Sequence, residues 1–156
     1  CLGGIGYVEE NPMPRYYRQA PLNSIWEGSG NVQCLDVLRA LAKEPNVKEA
    51  LFNELKTQTG KNKHYDIHLS KLLDELSNTQ NMETRSRYLT EQMALALQAC
   101  TLLATCTFLA KENVHIDIAH TFCESRLGNA CGFALGTLPD TTPFEKIIAL
   151  GQVSSS

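Results

Sequence analysis

Met93-Ala94-Leu95-Ala96-Leu97-Gln98-Ala99-Cys100-Thr101-Leu102-Leu103-Ala104-Thr105-Cys106-Thr107-Phe108-Leu109-Ala110 runs for eighteen residues without a charged side chain. The stretch forms the middle of a helix expected over about Glu83–Lys111. A helix this apolar on every side is expected to be buried around most of its circumference. No apolar run in the chain approaches the roughly 20 residues that a membrane-spanning helix needs. Working outward, Asn31 is placed to cap a helix through Lys43, with Val32, Leu35, Leu38, Leu41 and Ala42 on its apolar stripe. Pro45 opens a second helix that runs to about Thr59 and is stopped by Gly60. A third spans His64–Leu76 and ends before the polar run Ser77-Asn78-Thr79-Gln80-Asn81. Beyond the central stretch, Ile116–Phe133 reads as a fifth helix, Glu145–Leu150 as a final turn, and Ser154–Ser156 as a fraying tail within a disordered end over 151–156. Neither an internal repeat nor a strand-like alternation competes. The expected architecture is an all-α helical bundle over residues 31–150, part of a single domain over 1–150 with a Gly/Pro-rich loop segment over 1–30.

The whole chain has 156 residues, 14 Lys and Arg against 17 Asp and Glu, and a formal net charge of −3. A chain of this size can bury roughly 70% of its unfolded surface without a disulfide or metal. Residues 1–45 carry a net charge of −1 and residues 46–156 a net charge of −2. Neither part has the basic footprint that phosphate-backbone binding requires. The small clusters Lys61 with Lys63 and Arg85 with Arg87 read as solvated helix ends. Six cysteines, Cys1, Cys34, Cys100, Cys106, Cys123 and Cys131, form no Cys-x-x-Cys pair, and four lie in apolar helical stretches. They are expected to be reduced thiols acting as small buried hydrophobes, which favours an intracellular setting over a secreted disulfide framework. The start at Cys1-Leu2-Gly3-Gly4 reads as a piece of a longer protein.

The front has a different texture. Gly3, Gly4, Gly6, Pro12, Pro14, Pro21, Gly28 and Gly30 alternate with Tyr7, Tyr16, Tyr17 and Trp26, and a short helix is expected around Met13–Gln19. In Ile25-Trp26-Glu27-Gly28-Ser29-Gly30-Asn31, an acidic residue stands between a large aromatic and a glycine, just ahead of a helix. Partial desolvation there would raise the affinity of Glu27 for a proton and make it a stronger base. The amides of Ser29, Gly30 and Asn31 would face outward from a helix start, a favourable place for phosphate or pyrophosphate. The plainer reading is a capping loop in which Glu27 only feels the helix dipole, and residue chemistry alone leans that way. Gly3-Gly4-Ile5-Gly6-Tyr7 could let backbone approach a ligand, yet it follows no strand and opens no clear helix, so a dinucleotide fingerprint does not fit. His64 and His68 share a helical face, but Tyr65 stands where a zinc-protease motif has Glu, so both read as ordinary helix-surface histidines. His115 and His120 do not share a face well, and no nucleophile elbow surrounds the serines.

Taken in order, Gly3-Gly4-Ile5-Gly6-Tyr7, Pro12, Arg15, Tyr17-Arg18-Gln19-Ala20 and Ile25-Trp26-Glu27-Gly28-Ser29 resemble the C-terminal signature of acyl-CoA dehydrogenases. That signature reads G-G-x-G-Y, a proline, an arginine, Y-R-D-A and I-Y-E-G-T at this spacing. Trp26, Ser29 and the continuation through Arg39 are similar to the adaptive-response, alkylation-protection (AidB-like) branch. Phe122–Gly128 and Phe133–Pro139 also resemble that branch's C-terminal helical extension. The resemblance implies a C-terminal piece of an FAD-dependent oxidoreductase that dehydrogenates an acyl-CoA thioester. Glu27 is then the base taking the α-proton while flavin N5 accepts the β-hydride, and Gly28 lies beside the substrate. Ser29, Gly30 and Asn31 then contact FAD, and Gly3 and Gly4 lie near the flavin of a neighbouring subunit. No metal is implied.

Two departures accompany it. Gln19 replaces the family's Asp, which removes a charge partner expected for Arg18, and the family's Gln before the double glycine falls ahead of Cys1. The expected partners are acyl-CoA, the rest of a flavoprotein chain and further copies in a homo-oligomer. The expected compartment is cytoplasmic ahead of mitochondrial. By itself the chain is expected to hold flavin weakly or not at all. Two other classes stand beside this reading: a duplex-DNA-binding protection module, which the charge balance does not favour, and an oligomerisation bundle built on Met93–Ala110.

Overall fold

The computed structural model describes residues 3–108, 113–128, 136 and 138–152. Among these the chain is helical, with no strand. A 3-10 turn over Gly3–Gly6 leads to α1 (Met13–Gln19), a second 3-10 turn over Ala20–Ser24, then α2 (Gly30–Lys43) and α3 (Pro45–Lys56). After these come α4 (Lys63–Ser77), α5 (Ser86–Phe108), α6 (Asn113–Leu127) and α7 (Phe144–Leu150). The all-α expectation holds, and α1 and α3 begin where the sequence placed them. The expected helix ends at Leu109–Lys111 and over 129–133, and the tail at Ser154–Ser156, lie outside the described residues.

Helix α5 packs against α2, α3, α4 and α6. Leu89, Met93, Ala96, Ala99, Cys100 and Leu103 form its inward stripe, recurring at the three- and four-residue spacing of one helical face. Ala119 and Cys123 of α6 are fully buried in the same core, and short side chains on both helices leave room for their backbones to approach. Leu69, Leu72 and Leu76 of α4, with Leu55 of α3, complete the cluster. Tyr65 is buried in the same core, and its hydroxyl donates to the carbonyl of Leu55 at 2.6 Å, which gives the polar tip a partner. Burial holds that phenol's pKa well above its ordinary range.

The central helix is less enclosed than its composition suggests. Ala94, Leu97, Gln98, Thr101 and Thr105 make an exposed stripe. Thr101 and Thr105 return their hydroxyls to the carbonyls of Leu97 and Thr101, at 2.9 and 2.8 Å. A threonine can satisfy itself this way on a helix surface, so an uncharged stripe does not by itself imply burial.

Several boundaries move for identifiable reasons. The cap of α2 is Ser29, in extended conformation, and not Asn31, which lies inside the first turn. Asn31 instead accepts from Arg87 Nη1 at 3.3 Å. Helix α4 is capped by Asn62, whose Oδ1 accepts from the backbone amides of His64 and Tyr65 at 2.8 and 3.2 Å. With Oδ1 so occupied, Asn62 Nδ2 is the donor facing His120 Nδ1 at 3.2 Å, which ties the α4 cap to α6. Glu83 to Arg85 form a turn before α5.

His68 is not a surface histidine. It is buried, with Nε2 donating to the Gln92 carbonyl at 3.1 Å. Arg85 is not a solvated helix end either: it pairs with Glu75 and donates to the carbonyls of Asn78 and Gln80 at 2.8 and 3.0 Å, stapling the loop ahead of α5. No disulfide joins the described cysteines, and Cys34, Cys100 and Cys123 are buried. Burial pushes the Cys123 thiol up to about 11 and raises Cys106 as well. Among the described residues no group of three or more His, Cys, Asp or Glu could hold a metal, and no helix is long and apolar enough to cross a membrane.

Two outcomes follow from this core. Leu72→Ala, at a side chain only 2% exposed, lowers the unfolding free energy by about 2–5 kcal/mol. Leu97→Ala on the exposed stripe changes it by less than about 1 kcal/mol; urea denaturation of both variants measures the contrast. Burial, with a smaller push from Lys71, lowers the pKa of His68 below its ordinary 6.5. The unfolded chain then takes up a proton that the folded chain refuses, so stability is complete above about pH 6.5 and declines as the pH falls through it. His68→Gln makes that decline shallower in a series of denaturation curves between pH 7.5 and about 5.

Candidate functional site

The front end is organised by short-range hydrogen bonds. Asn11 is its clasp: Nδ2 donates to the carbonyls of Ile5 and Val8, the latter at 2.9 Å, and Oδ1 accepts from the Met13 amide at 2.8 Å. The first 3-10 turn is thereby fastened to the start of α1. Arg18 then closes back on the intervening loop through a two-pronged pair with Glu9, Nη1 to Oε1 at 2.8 Å and Nη2 to Oε2 at 3.3 Å. The charge partner expected to be missing because of Gln19 is therefore supplied by Glu9. That hydrogen bond lowers the pKa of Glu9 and raises that of Arg18. Both side chains are solvent-exposed, so the pair orients the loop more than it stabilises it. A hollow of about 920 Å³ lies here, lined by Gly3, Gly6, Tyr7, Met13, Tyr17 and Arg18 among others.

The second part of the front is built on the turn from Ala20–Ser24 into α2. Ser24 Oγ donates to the Pro21 carbonyl at 2.7 Å, and the amides of Ile25 and Trp26 both reach the Leu22 carbonyl at 3.0 Å. The chain then enters the left-handed region twice, Glu27 at φ +60 and Gly28 at φ +111. A non-glycine residue held there costs roughly 1–3 kcal/mol, so surrounding contacts must maintain it. One such contact is plain: Gln33 Nε2 donates to the Glu27 carbonyl. Gly28 is a glycine for steric reasons as well, because a Cβ there would sit 3.2 Å from Gln33 Nε2 and 3.5 Å from Val32 Cγ1.

Ser29 follows at the cap of α2, and its side chain makes no capping bond. The first amides of α2 have no helical carbonyl to satisfy them. Arg87 of α5 lies across this end, so close to Gly30 that a Cβ there would come within 2.6 Å of Nη1. A guanidinium at the positive end of a helix dipole is the reverse of the favourable arrangement. An anion between them, bonded to both, relieves that repulsion. A hollow of about 460 Å³ is lined there by Asn23, Ser24, Trp26, Glu27, Gly28, Gly30, Gln33 and Arg87.

Three of the residues singled out from the sequence, Glu27, Gly28 and Gly30, line this smaller hollow, while Ser29 and Asn31 occupy the cap and first turn beside it. Gly3 lines the larger, separate hollow and Gly4 lines neither, so the double glycine is not brought to Glu27 within the chain. Glu27 is exposed, as are Ile25 at 65% and Trp26 at 57%; the expected desolvation is not achieved by this chain's own residues. Tyr7 at 85% and Tyr17 at 81% are more exposed still. So many large apolar groups left in water along the front of the chain mark surface suited to being covered.

Residues 1–42 match the acyl-CoA dehydrogenase C-terminal domain family. The front of the chain is similar to that C-terminal domain. Over 94 residues the chain is 44% identical to the putative acyl-CoA dehydrogenase AidB of Escherichia coli strain K12, covering 60% of this chain and 17% of that protein. It is 38% identical over 71 residues to acyl-CoA dehydrogenase family member 11 of Caenorhabditis elegans, covering 46% of this chain and 12% of the relative. Against the mitochondrial short-chain specific acyl-CoA dehydrogenase of Bos taurus it is 48% identical over 42 residues, or 27% and 10% of the two chains. The chain thus matches less than a fifth of the length of each of these relatives.

Sequence reading missed the roles of Arg87 and Gln33 and the Glu9 partner of Arg18. Arg87 is separated from Asn31 by 56 positions and carried no local signal. Gln33 could have been found, since a turn that forces Glu27 left-handed requires a donor for its freed carbonyl. The strain predicts a measurable trade. Glu27→Gly raises the unfolding free energy by up to about 1 kcal/mol, while Glu27→Ala, which keeps a Cβ in the left-handed region, leaves it near the parent value. Denaturant midpoints of the two variants test this directly.

Proposed function

We propose that this chain supplies the base-bearing end of an acyl-CoA dehydrogenase active site within a longer flavoprotein. Glu27 takes the α-proton of an acyl-CoA thioester, and Gly28 leaves room for the thioester beside it. The observation that carries the reading is the joining of Glu27, on its left-handed turn, to an anion-receptive helix start where Ser29, Gly30, Asn31 and Arg87 converge. A carboxylate on the turn and a pyrophosphate-type subsite at the start of α2 are thereby held a few residues apart.

The exposure of Glu27 fits a site completed by other surfaces. Apolar groups laid against Ile25 and Trp26 would remove water from the carboxylate and raise its affinity for a proton, which a base acting on a weak carbon acid needs. The donor set at the start of α2 suits the diphosphate of FAD: backbone amides, the uncommitted Ser29 side chain and one guanidinium. Gly3, with Gly4 next to it in the chain, would meet a flavin from another side, because Gly3 opens on a different hollow. FAD, when bound, supplies the acceptor for the hydride leaving the β-carbon. The chain's part is to hold the cofactor's anionic portion, orient the thioester and take the proton on Glu27. The compartment proposed is the cytoplasm.

A second reading, assembly with another copy, is favoured by the exposed, uncharged stripe Ala94, Leu97, Gln98, Thr101 and Thr105 on α5. Leu97→Lys shifts a concentration series in sedimentation velocity towards the smaller species if that stripe is the contact; an unchanged distribution removes this reading.

In the whole flavoprotein, Glu27→Gln lowers α-proton exchange of acyl-CoA by about 10²- to 10⁴-fold and leaves flavin content unchanged. Unaltered exchange ends the assignment. Arg87→Met weakens FAD retention about tenfold or more without abolishing exchange in flavin-saturated protein, read by absorbance after dialysis. The 156-residue chain alone retains little or no flavin, because half a site offsets little of the cost of immobilising the cofactor. A stoichiometric flavin band in the purified chain contradicts this.

A further inference from the structure

The side chain of Gln33 makes a bond that the proposed proton transfer leaves unused. Its backbone amide is ordinary helix, donating to the Ser29 carbonyl at 3.1 Å. Its side chain, however, folds back across Gly28 and donates from Nε2 to the carbonyl of Glu27. That return path is close, since Nε2 lies 3.2 Å from where a Gly28 Cβ would stand. The gripped peptide is the one that follows Glu27, and Glu27 is at φ +60. An L-residue leaves the left-handed region readily when nothing holds it, and doing so swings its Cα–Cβ bond to a new direction.

We infer that Gln33 is the positioning residue for Glu27: by holding the Glu27 carbonyl it maintains the left-handed turn, and the turn aims the carboxylate. The inference rests on the reading of Glu27 as the base. The chemistry of the donor suits the task. A primary amide is neutral, so it fixes the backbone without a charge that would lower the proton affinity of Glu27, as a lysine in its place would. Arg87, the cation in the same hollow, is turned instead to Asn31 Oδ1 at 3.3 Å. The hollow thus separates two jobs, a neutral donor beside the base and a cationic donor at the helix start.

The test uses the whole flavoprotein with Gln33→Leu, Gln33→Lys and, as control, Glu27→Gln. Gln33→Leu lowers kcat and α-proton exchange together by about 10- to 100-fold, the loss expected when a reacting group is displaced by about an ångström, with KM and flavin content unchanged. Gln33→Lys keeps a donor and recovers most of the exchange, but moves the acidic limb of the pH–rate profile to lower pH. A crystal structure of Gln33→Leu shows Glu27 outside the left-handed region. The inference is overturned if Gln33→Leu exchanges like the parent while Glu27→Gln does not, or if Glu27 keeps φ near +60 without the amide. It is equally overturned if Gln33→Leu loses flavin and thermal stability in step with activity, or does not fold, since either marks a purely structural role. If Glu27→Gln itself retains exchange, the base assignment fails, and the crystal structure still decides whether Gln33 sets the turn.

Discussion

Ala96, Ala99 and Cys100 on α5 are all but removed from water, as are Ala119 and Cys123 on α6. Short side chains facing one another let helices approach closely, and a close-packed interior tolerates little rearrangement. The position of α5 among α2, α3, α4 and α6 is set by this shared core, in which Cys100 Sγ also donates to the Glu54 carbonyl of α3 at 3.5 Å. Arg87 lies two residues before the fully buried Leu89 on the same helix, so the place where its guanidinium meets Gly30 and Asn31 is an outcome of core packing. The candidate site is thereby joined to the bundle at one end.

At its other end the site is held by local bonds. Asn11 clasps the first turn, Arg18 closes on Glu9, Ser24 on Pro21 and Gln33 on Glu27. Few side chains here are buried; Pro14 and Cys34 are among those that are. Segments with exposed hydrogen bonds and few apolar contacts belong to the least stable part of a protein. A surface carrying Tyr7, Tyr17, Ile25 and Trp26 into water while keeping a defined turn at Glu27 is suited to being finished by another surface. That division fits a proposed site whose remaining walls come from elsewhere: the rigid helix carries the donors, and the looser front adapts to what covers it.

Much of the bundle was legible in residue order. The spacing of Leu69, Leu72 and Leu76, the proline at the head of α3 and the stop near Gly60 all depend on contacts within a few residues. The exposed stripe of α5 was not legible, because threonines that bond their own backbone look the same in sequence as threonines in a core. His68 was misjudged for a related reason: nothing beside it announces the Gln92 carbonyl that makes its burial tolerable. In the candidate site, Glu27, Gly28, Ser29, Gly30 and Asn31 stood out as a run, whereas their supporting groups did not.

Sequence alone determined that the chain is helical, that its thiols sit among apolar residues, and that its front, which is similar to an acyl-CoA dehydrogenase C-terminal domain, carries one carboxylate ahead of a helix start. These follow from periodicity, composition and short-range order, which neighbouring residues impose. Only the tertiary structure decided that Asn31 meets Arg87, that Glu9 replaces the missing partner of Arg18, and that Glu27 stays in water on this chain. Proximity between distant residues and the exclusion of solvent are properties of packed surfaces, and no local pattern encodes which surfaces will meet.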